Sequence, residues 1–118
     1  MKIKIEDLTG PALDWAVTSI EDPDALRYGV DDWIEQRRYG RGEYPHRYHQ
    51  NWAQGGPIIE RERIDVRYTG QTWGAARQLN EYEEPDEWFG PTPLMAAMRC
   101  YVASRLREEV DIPDELIV

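Results

Sequence analysis

The sequence is short of cysteine and of long hydrophobic runs, and both shortages exclude classes of protein. A single cysteine among 118 residues excludes an internal disulfide framework and a cysteine-rich zinc site, and it indicates a reducing compartment. The longest apolar run, 94–98, falls far short of the roughly 20 residues that a membrane-spanning helix needs. No basic segment followed by an apolar stretch opens the chain. We therefore expect a cytosolic protein that begins near Met1 and contacts no membrane.

Positive charge is scarce as well. Lysine and arginine number 14 against 23 aspartates and glutamates, which leaves a net charge of −9. A protein that neutralises nucleic-acid phosphates normally carries a basic field, so this balance argues against binding to a nucleic-acid backbone. The two ends of the chain are acidic, whereas residues 24–68 are neutral overall and take all of their positive charge from arginine.

A hydrophobic content of 41% and a charged content of 31% are typical of a globular protein, and the length suits one core. We therefore assign residues 1–118 to a single domain. Thr9 is a good helix N-cap, and apolar residues recur after it at helical spacing until Asp22 and Pro23 should end the helix. Ile64 to Tyr68 alternates as a half-buried strand does, and residues 73–75 alternate again, which predicts a β-hairpin.

The clearest helix start lies near the end of the chain. Thr92 is a suitable N-cap, and Pro93 stands at the first helical position, where its missing N–H costs nothing. The helix should run to Leu106, and because its apolar residues extend around most of the cylinder, it must be buried on more than one side. The sequence thus predicts an α+β fold with an N-terminal helix, a small antiparallel sheet and a buried C-terminal helix.

Three segments are less regular. Residues 1–6 alternate lysine with isoleucine and fit either a short strand or an extended lead-in. Residues 31–38 fit a short helix, followed by a stretch rich in glycine and proline at 39–45, and we treat residues 24–50 as a variable, arginine- and tyrosine-rich surface excursion. Residues 80–87 are acidic and contain Pro85, which indicates a solvated loop.

Three blocks of the sequence resemble the signature blocks of the NinX-type phage proteins. They are Thr9 to Val17, Trp52 to Glu62 and Gly90 to Ser104. They occur in order and span nearly the whole chain, apart from residues 24–50, which depart from the family in length and arginine content. The resemblance implies a protein of a tailed phage or prophage that acts in the cytoplasm of a bacterial host, and it brings no known catalytic residue, cofactor or ligand.

A weaker similarity concerns the order of the elements: a helix, a capped helix, a strand with tryptophan and an alanine-rich helix. This order resembles small phage domains described as α-β-α sandwiches. The similarity implies that Trp52 to Glu62 is a helix, although its glycines and Pro57 weaken helical propensity. Asn51 is then its N-cap.

The first candidate site combines a tryptophan, two glycines and nearby charged residues. Trp52 stands beside Gly55 and Gly56, whose backbone N–H groups near a helix start are able to receive an anion. The alternative is that the glycines permit close packing against the C-terminal helix. Asp14 and Arg99 interrupt apolar signatures, so they either form a buried ion pair or face a ligand. With Arg61, these residues make up the ligand-binding hypothesis.

A second candidate is a basic and aromatic patch within residues 36–49. Arginine forks bind phosphate and aromatic rings stack on bases. A solvated loop whose arginines pair with acids is the alternative, and charge runs of this kind are usually no more than that. The patch comprises Arg37, Arg38, Arg41, Arg47 and Tyr48. His46 and His49 are too few for a metal site, and Cys100, among apolar residues, is typical of an inert buried thiol. We therefore predict no metal, no cofactor and no catalytic residue.

Two functional hypotheses follow. The first is a non-enzymatic phage accessory protein that binds a host component, for example a nucleotide-like small molecule, through a pocket or a homo-oligomer interface around Trp52. The second is an acidic protein-interaction module that blocks a basic or nucleic-acid-binding host protein. Its acidic face is formed by residues 81–87 with Glu108, Glu109 and Asp111.

Overall fold

The computed structural model describes residues 1–39, 46–77 and 86–117. Over these residues the chain forms four α-helices and five short strands, joined by loops and single 3₁₀ turns. The helices are α1 (Gly10–Glu21), α2 (Val30–Tyr39), α3 (Trp52–Glu62) and α4 (Pro93–Leu106). The strands are β1 (Lys2–Lys4), β2 (Ile64–Tyr68), β3 (Trp73–Arg77), β4 (Glu87–Gly90) and β5 (Glu109–Asp111). The α+β class predicted from the sequence is confirmed.

The helix boundaries follow from local signals. Thr9 has extended backbone angles in front of α1, although its side chain makes no capping hydrogen bond. Asn51 caps α3 by accepting a hydrogen bond from the backbone N–H of Ala53 at 2.9 Å, and α3 ends at Arg63 in a left-handed conformation with φ of 54°. In front of α4, the Thr92 hydroxyl accepts from the N–H of Met95 at 3.1 Å. The predicted starts of all three helices are confirmed.

The larger sheet has the strand order β2-β3-β4, and all of its pairs are antiparallel. The predicted hairpin is its first half, with Ile64 opposite Arg77 and Tyr68 opposite Trp73. Gly70 adopts φ of 99° in the connecting turn, a conformation that costs glycine little. Strand β4 was not predicted: Glu87 was assigned to a solvated loop, and residues 88–90 were left without an element.

Helix α4 lies at the centre of the fold. It contacts all three strands of the larger sheet and also contacts α1 and α3. Eight of its residues are buried, and they lie on every side of the cylinder, which confirms that this helix is buried on more than one side. The opposite face of the sheet carries Arg67, whose side chain is 71% exposed, and Phe89, which is 47% exposed. In the described residues the sheet therefore has helices on one face, unlike the sandwich that the weaker similarity implied.

A second, two-stranded sheet joins the two ends of the described chain. β1 pairs antiparallel with β5, with Lys2 opposite Asp111 and Lys4 opposite Glu109, so opposite charges face each other across the strands. The amino terminus of Met1 also donates to the carboxylate of Asp111 at 3.2 Å. The alternation of residues 1–6 was thus a strand signal, whereas β5 was not predicted.

Within residues 24–50, for which a surface excursion was predicted, the structure describes three buried side chains. Trp33 on α2 is fully buried, and Arg37 and His46 are each less than 10% exposed. The indole of Trp33 meets that of Trp15 edge to face at 5.2 Å between ring centroids. Apolar burial thus holds α2 against α1. The glycine- and proline-rich residues 40–45 lie outside the described ranges. None of the described helices has the length and apolar character needed to cross a membrane.

Candidate functional site

Asp14 is the centre of a buried polar cluster on α1. Its carboxylate is 0% exposed and accepts a hydrogen bond from Arg37 Nη2 at 2.8 Å. Its other oxygen accepts from the backbone N–H of His49 at 3.1 Å and from His49 Nδ1 at 2.7 Å. Of the two alternatives left open for Asp14 and Arg99, the ion pair between them is not formed, because Asp14 pairs with Arg37 and His49 instead. Asp14 thus joins α1, α2 and residues 46–50.

Burial also shifts the pKa values of several groups around this cluster. It lowers the pKa of Arg37, an effect that Asp14 opposes, and it lowers the pKa of His46, whose ring lies 6.0 Å from that of Trp33. Burial, reinforced by nearby carboxylates, raises the pKa of Tyr48 to about 12. Tyr48 is therefore neutral, and Arg37, which is 7% exposed and paired with Asp14, is not presented to solvent as a phosphate-binding group.

The predicted basic patch is only partly assembled. Arg47 donates to the carbonyl oxygen of Arg37 at 3.3 Å, and Tyr48 lies against the ring of His46 at 6.4 Å. Arg38 is exposed on α2, and Arg41 lies outside the described residues. Arg37 pairs with an acid, as in the alternative of a solvated loop, but it is buried rather than solvated, and Arg47 bonds a backbone carbonyl.

Gly55 and Gly56 serve different purposes in α3. A Cβ atom on Gly55 would lie 2.5 Å from the carbonyl oxygen of Tyr48 and 2.6 Å from Leu94 Cδ2, so this glycine permits the close approach of α4. Its N–H donates to the carbonyl of Asn51 at 2.9 Å and is not free for an anion. A Cβ on Gly56 would meet only the neighbouring Trp52 ring at 3.8 Å. The packing alternative is therefore supported at Gly55.

Trp52 and Arg61 lie at opposite ends of α3. Trp52 is 56% exposed at its first turn. Arg61 forms salt bridges with Glu21 and Glu62, and its Nη2 donates to the Tyr101 hydroxyl at 3.2 Å. Hydrogen bonds to these two carboxylates raise the pKa of Arg61. Arg61 therefore connects α3 to α1 and α4 and is occupied in doing so.

Arg99 on α4 lies in a different part of the molecule. Its Nε donates to the carbonyl oxygen of Leu8 at 2.9 Å, and its Nη1 donates to that of Phe89 at 2.7 Å. It thereby connects β4 to the start of α1. Burial lowers the pKa of Arg99, opposed by Asp7, and an arginine stays charged at neutral pH. Of the predicted ligand-binding residues, it is the one that lines the cleft described next.

A cleft of about 750 Å³ lies beside β4, within the usual size range of ligand sites. Its lining includes the continuous segment Asp86–Pro91, which contains the whole of β4. The rest of the lining comes from Glu6, in the 3₁₀ turn that follows β1, from Arg99, and from Gln71 and Thr72 in the β2–β3 turn. The cleft thus lies between the larger sheet and the start of the chain.

The cleft is more acidic than basic. Three carboxylates, Glu6, Asp86 and Glu87, line it against the single cation Arg99. Glu87 is paired with Arg67 through two hydrogen bonds of 2.9 and 2.8 Å. Glu6 and Asp86 are exposed, and neither forms a hydrogen bond or salt bridge that involves only the described residues. These two carboxylates are available to a ligand.

A smaller depression of about 230 Å³ adjoins the cleft and shares Glu6 and Trp88 with it. Its remaining lining includes Lys4, Glu108 and Glu109. The structure therefore places two acids of the predicted acidic face, Glu108 and Glu109, next to the β4 cleft. The acidic residues at 81, 83 and 84 lie outside the described ranges.

Sequence reasoning missed the β4 residues as site residues. Trp88 and Phe89 come directly before a strong helix start, and two adjacent aromatic residues in that position were a strand signal that the acidic stretch in front of them obscured. Glu6 was missed as well, because nothing local connects residue 6 with residues 86–91. Trp52, Asp14 and Arg99 do not share a partner in the described residues, and the site proposed around Trp52 is not assembled there.

The cysteine and the two histidines are packed against, or hydrogen-bonded to, other parts of the protein. Cys100 is buried in α4, and burial raises the pKa of its thiol to about 11. His49 is held by Asp14, and His46 packs between Trp33 and Tyr48. Across residues 1–39, 46–77 and 86–117, no three histidine, cysteine, aspartate or glutamate side chains come together as a metal site.

The fold and the cleft define a small α+β domain with an acidic groove along the last strand of its sheet. Residues 4–105 match the family model described as bacteriophage P22, NinX. This match spans most of the chain and includes residues 24–50, so the chain belongs to the NinX family of phage proteins. Membership indicates a phage-encoded protein of unknown activity. Among curated proteins, none matches this chain.

Proposed function

We propose that this phage protein is a non-enzymatic binding module that engages a basic segment of a host protein through the β4 cleft, in the cytoplasm of the bacterial host. The observation that carries the proposal is a cleft of about 750 Å³ that exposes the carboxylates of Glu6 and Asp86 beside two aromatic residues. A cationic side chain gains both from carboxylates and from aromatic faces. The net charge of −9 favours encounter with a basic partner over long range.

The first hypothesis, a nucleotide-like ligand held by arginines, has less support. Arg37 is buried against Asp14, and Arg61 is paired with Glu21 and Glu62. Binding a phosphate with either side chain would break salt bridges that the fold already makes. Arg99 does reach the cleft, but it meets three carboxylates there, which would repel an anionic ligand.

Site-specific photocrosslinking in the bacterial host tests the proposal. A benzophenone amino acid replaces Phe89, which is 47% exposed at the cleft, and in a matched control it replaces Tyr28, which is 71% exposed and does not line the cleft. We expect an adduct at position 89 that is absent at position 28. Mass spectrometry of the adduct should identify a segment rich in lysine or arginine.

Charge variants complete the test. Glu6→Gln with Asp86→Asn should reduce the yield of the adduct, and the reduction should resemble that caused by raising the salt concentration, because exposed charges are screened. Asp24→Asn with Glu35→Gln removes the same charge from exposed positions elsewhere and should leave the adduct unchanged. Adducts with acidic segments, or equal adducts at positions 89 and 28, would refute the proposal. Adducts with a second copy of this chain would assign the cleft to the predicted homo-oligomer instead.

A further inference from the structure

We infer that the β4 cleft takes its partner in an extended conformation, as a strand added to the outer edge of β4, and this inference rests on the proposed function. The occupant is a segment in which basic side chains alternate with apolar ones. Neither the family nor the fold class implies this binding mode. It follows from where the cleft lies relative to the strand.

The lining of the cleft shows which side of β4 it follows. Successive side chains of a strand point to opposite faces of the sheet, yet Glu87, Trp88, Phe89 and Gly90 all line the cleft. A cleft on one face would be lined by the side chains of every second residue only. The cleft therefore runs along the backbone edge of β4, and its length of four residues corresponds to roughly 13 Å of an added strand.

This edge is open in the described residues. β4 has β3 as its neighbour on one side, and no backbone hydrogen bond from any other described element reaches it. Arg99 already occupies one carbonyl of this edge, because its Nη1 donates to Phe89 at 2.7 Å. Thr72 donates to Gly90 at 2.6 Å on the side of β3. The strand carries no lysine or proline, and its remaining outward backbone groups, those of Glu87 and the N–H of Phe89, are a template for another strand.

Charge complementarity selects the occupant. Side chains of an added strand alternate between the two sides of the sheet, so basic residues on one side would lie near Glu6 and Asp86, and apolar residues on the other would lie near the exposed Phe89. A second copy of this chain would bring the same carboxylates to the edge, and like charges opposite each other on paired strands are destabilising. A basic segment from another protein is the occupant that the cleft favours.

Two peptides of identical charge test the inference on the full-length protein. The probe is the acetylated and amidated pentapeptide Lys-Val-Lys-Val-Lys, and the control is the same peptide with every backbone nitrogen methylated, which removes the N–H donors a strand needs. Nuclear magnetic resonance titration at low salt measures both affinities, and hydrogen exchange follows the amides of 87–90. We expect the probe to bind and to slow exchange at 87–90, and the methylated peptide to bind at least about tenfold more weakly.

The outcomes separate the inference from the proposed function. Equal affinity for the two peptides would overturn strand addition and leave the proposed charge-driven binding intact. Failure of both peptides to bind would overturn both. Glu6→Gln with Asp86→Asn should weaken the probe by a similar factor, whereas Asp24→Asn with Glu35→Gln should not. If the double cleft variant bound the probe as tightly as the unaltered protein, the placement of the basic side chains near these two carboxylates would be wrong.

Discussion

Replacing Asp14 with asparagine removes a buried charge without changing the shape of the side chain. The carboxylate accepts hydrogen bonds from Arg37 and His49 with both of its oxygens. An asparagine can accept with one atom only, and its amide would place hydrogens against a donor nitrogen of one of these two neighbours. Arg37, which is 7% exposed, would also lose the carboxylate that compensates its charge.

The cost of this change follows from burial. Breaking one partner of a buried ion pair costs about 3–5 kcal/mol, since the remaining charge stays desolvated. A domain of this size has a total free energy of unfolding of about 5–15 kcal/mol. At an unfolding entropy of about 2 cal/mol/K per residue, each kcal/mol corresponds to about 4 °C. We therefore expect Asp14→Asn to lower Tm by about 12–20 °C.

Urea unfolding and thermal melts followed by circular dichroism measure the loss. Glu35→Gln is the matched control, because it neutralises an exposed carboxylate on the same helix as Arg37 and should change the free energy of unfolding by less than about 0.5 kcal/mol. The double variant Asp14→Asn, Arg37→Gln should lose less than the sum of the two single variants, because the two groups are in contact. A loss below about 1 kcal/mol for Asp14→Asn would refute the reasoning.

Three further predictions concern other parts of the core. Gly55→Ala should lower the free energy of unfolding by about 1–3 kcal/mol in urea, since its methyl group would collide with the carbonyl of Tyr48. Gly56→Ala should instead raise it by up to about 1 kcal/mol through helix propensity. Equal effects of the two variants would contradict the packing of α3. Burial raises the pKa of the Cys100 thiol to about 11, so only about 0.1% should be thiolate at pH 8. It should therefore react with a disulfide reagent far more slowly in the folded protein than in urea. Equal rates would show that the thiol is accessible. Because burial lowers the pKa of His46 below its usual 6.5, the unfolded chain binds the proton first, so the free energy of unfolding should fall as pH drops below about 6.5. His46→Asn, which tolerates the φ of 61° at that position, should make this fall smaller, and an unchanged pH profile would exclude His46 as its source.

The proposed function rests on the β4 cleft and not on the surroundings of Trp52. Trp52, Gly55 and Gly56 were predicted to form a ligand site because they are close together in the sequence. In the structure, Gly55 packs against Tyr48 and Leu94, and Arg61, another residue of that predicted site, forms salt bridges with Glu21 and Glu62. Arg99 is the predicted residue that reaches the cleft, and it does so next to Glu6 and β4. The acidic residues of the second hypothesis, Glu108 and Glu109, adjoin the same place. The arrangement therefore favours the acidic interaction module over a pocket around Trp52.

The sequence by itself determined the elements whose signals are local. These signals depend on interactions within a few residues, so the sequence alone predicts them. They are the cap at Thr92 with Pro93, the apolar residues around α4 and the alternation of Ile64 to Tyr68. Even α3 was predicted at its observed bounds, because Asn51 is a suitable cap and the weaker similarity to small phage α-β-α sandwich domains outweighed the weak helical propensity of its glycines and Pro57.

Tertiary structure alone decided the partners and the site. Asp14 pairs with Arg37, 23 residues away in the sequence, and with His49, 35 residues away. The composition does not distinguish Arg37 from the other arginines as the partner of Asp14. β4 and β5 are strands because β3 and β1 lie beside them, and strands this short have too little pattern of their own to be recognised. The cleft exists because residue 6 and residues 86–91 meet in space. Charge and local pattern determine the secondary structure of most segments, and only the packing of distant segments determines which residues each segment contacts.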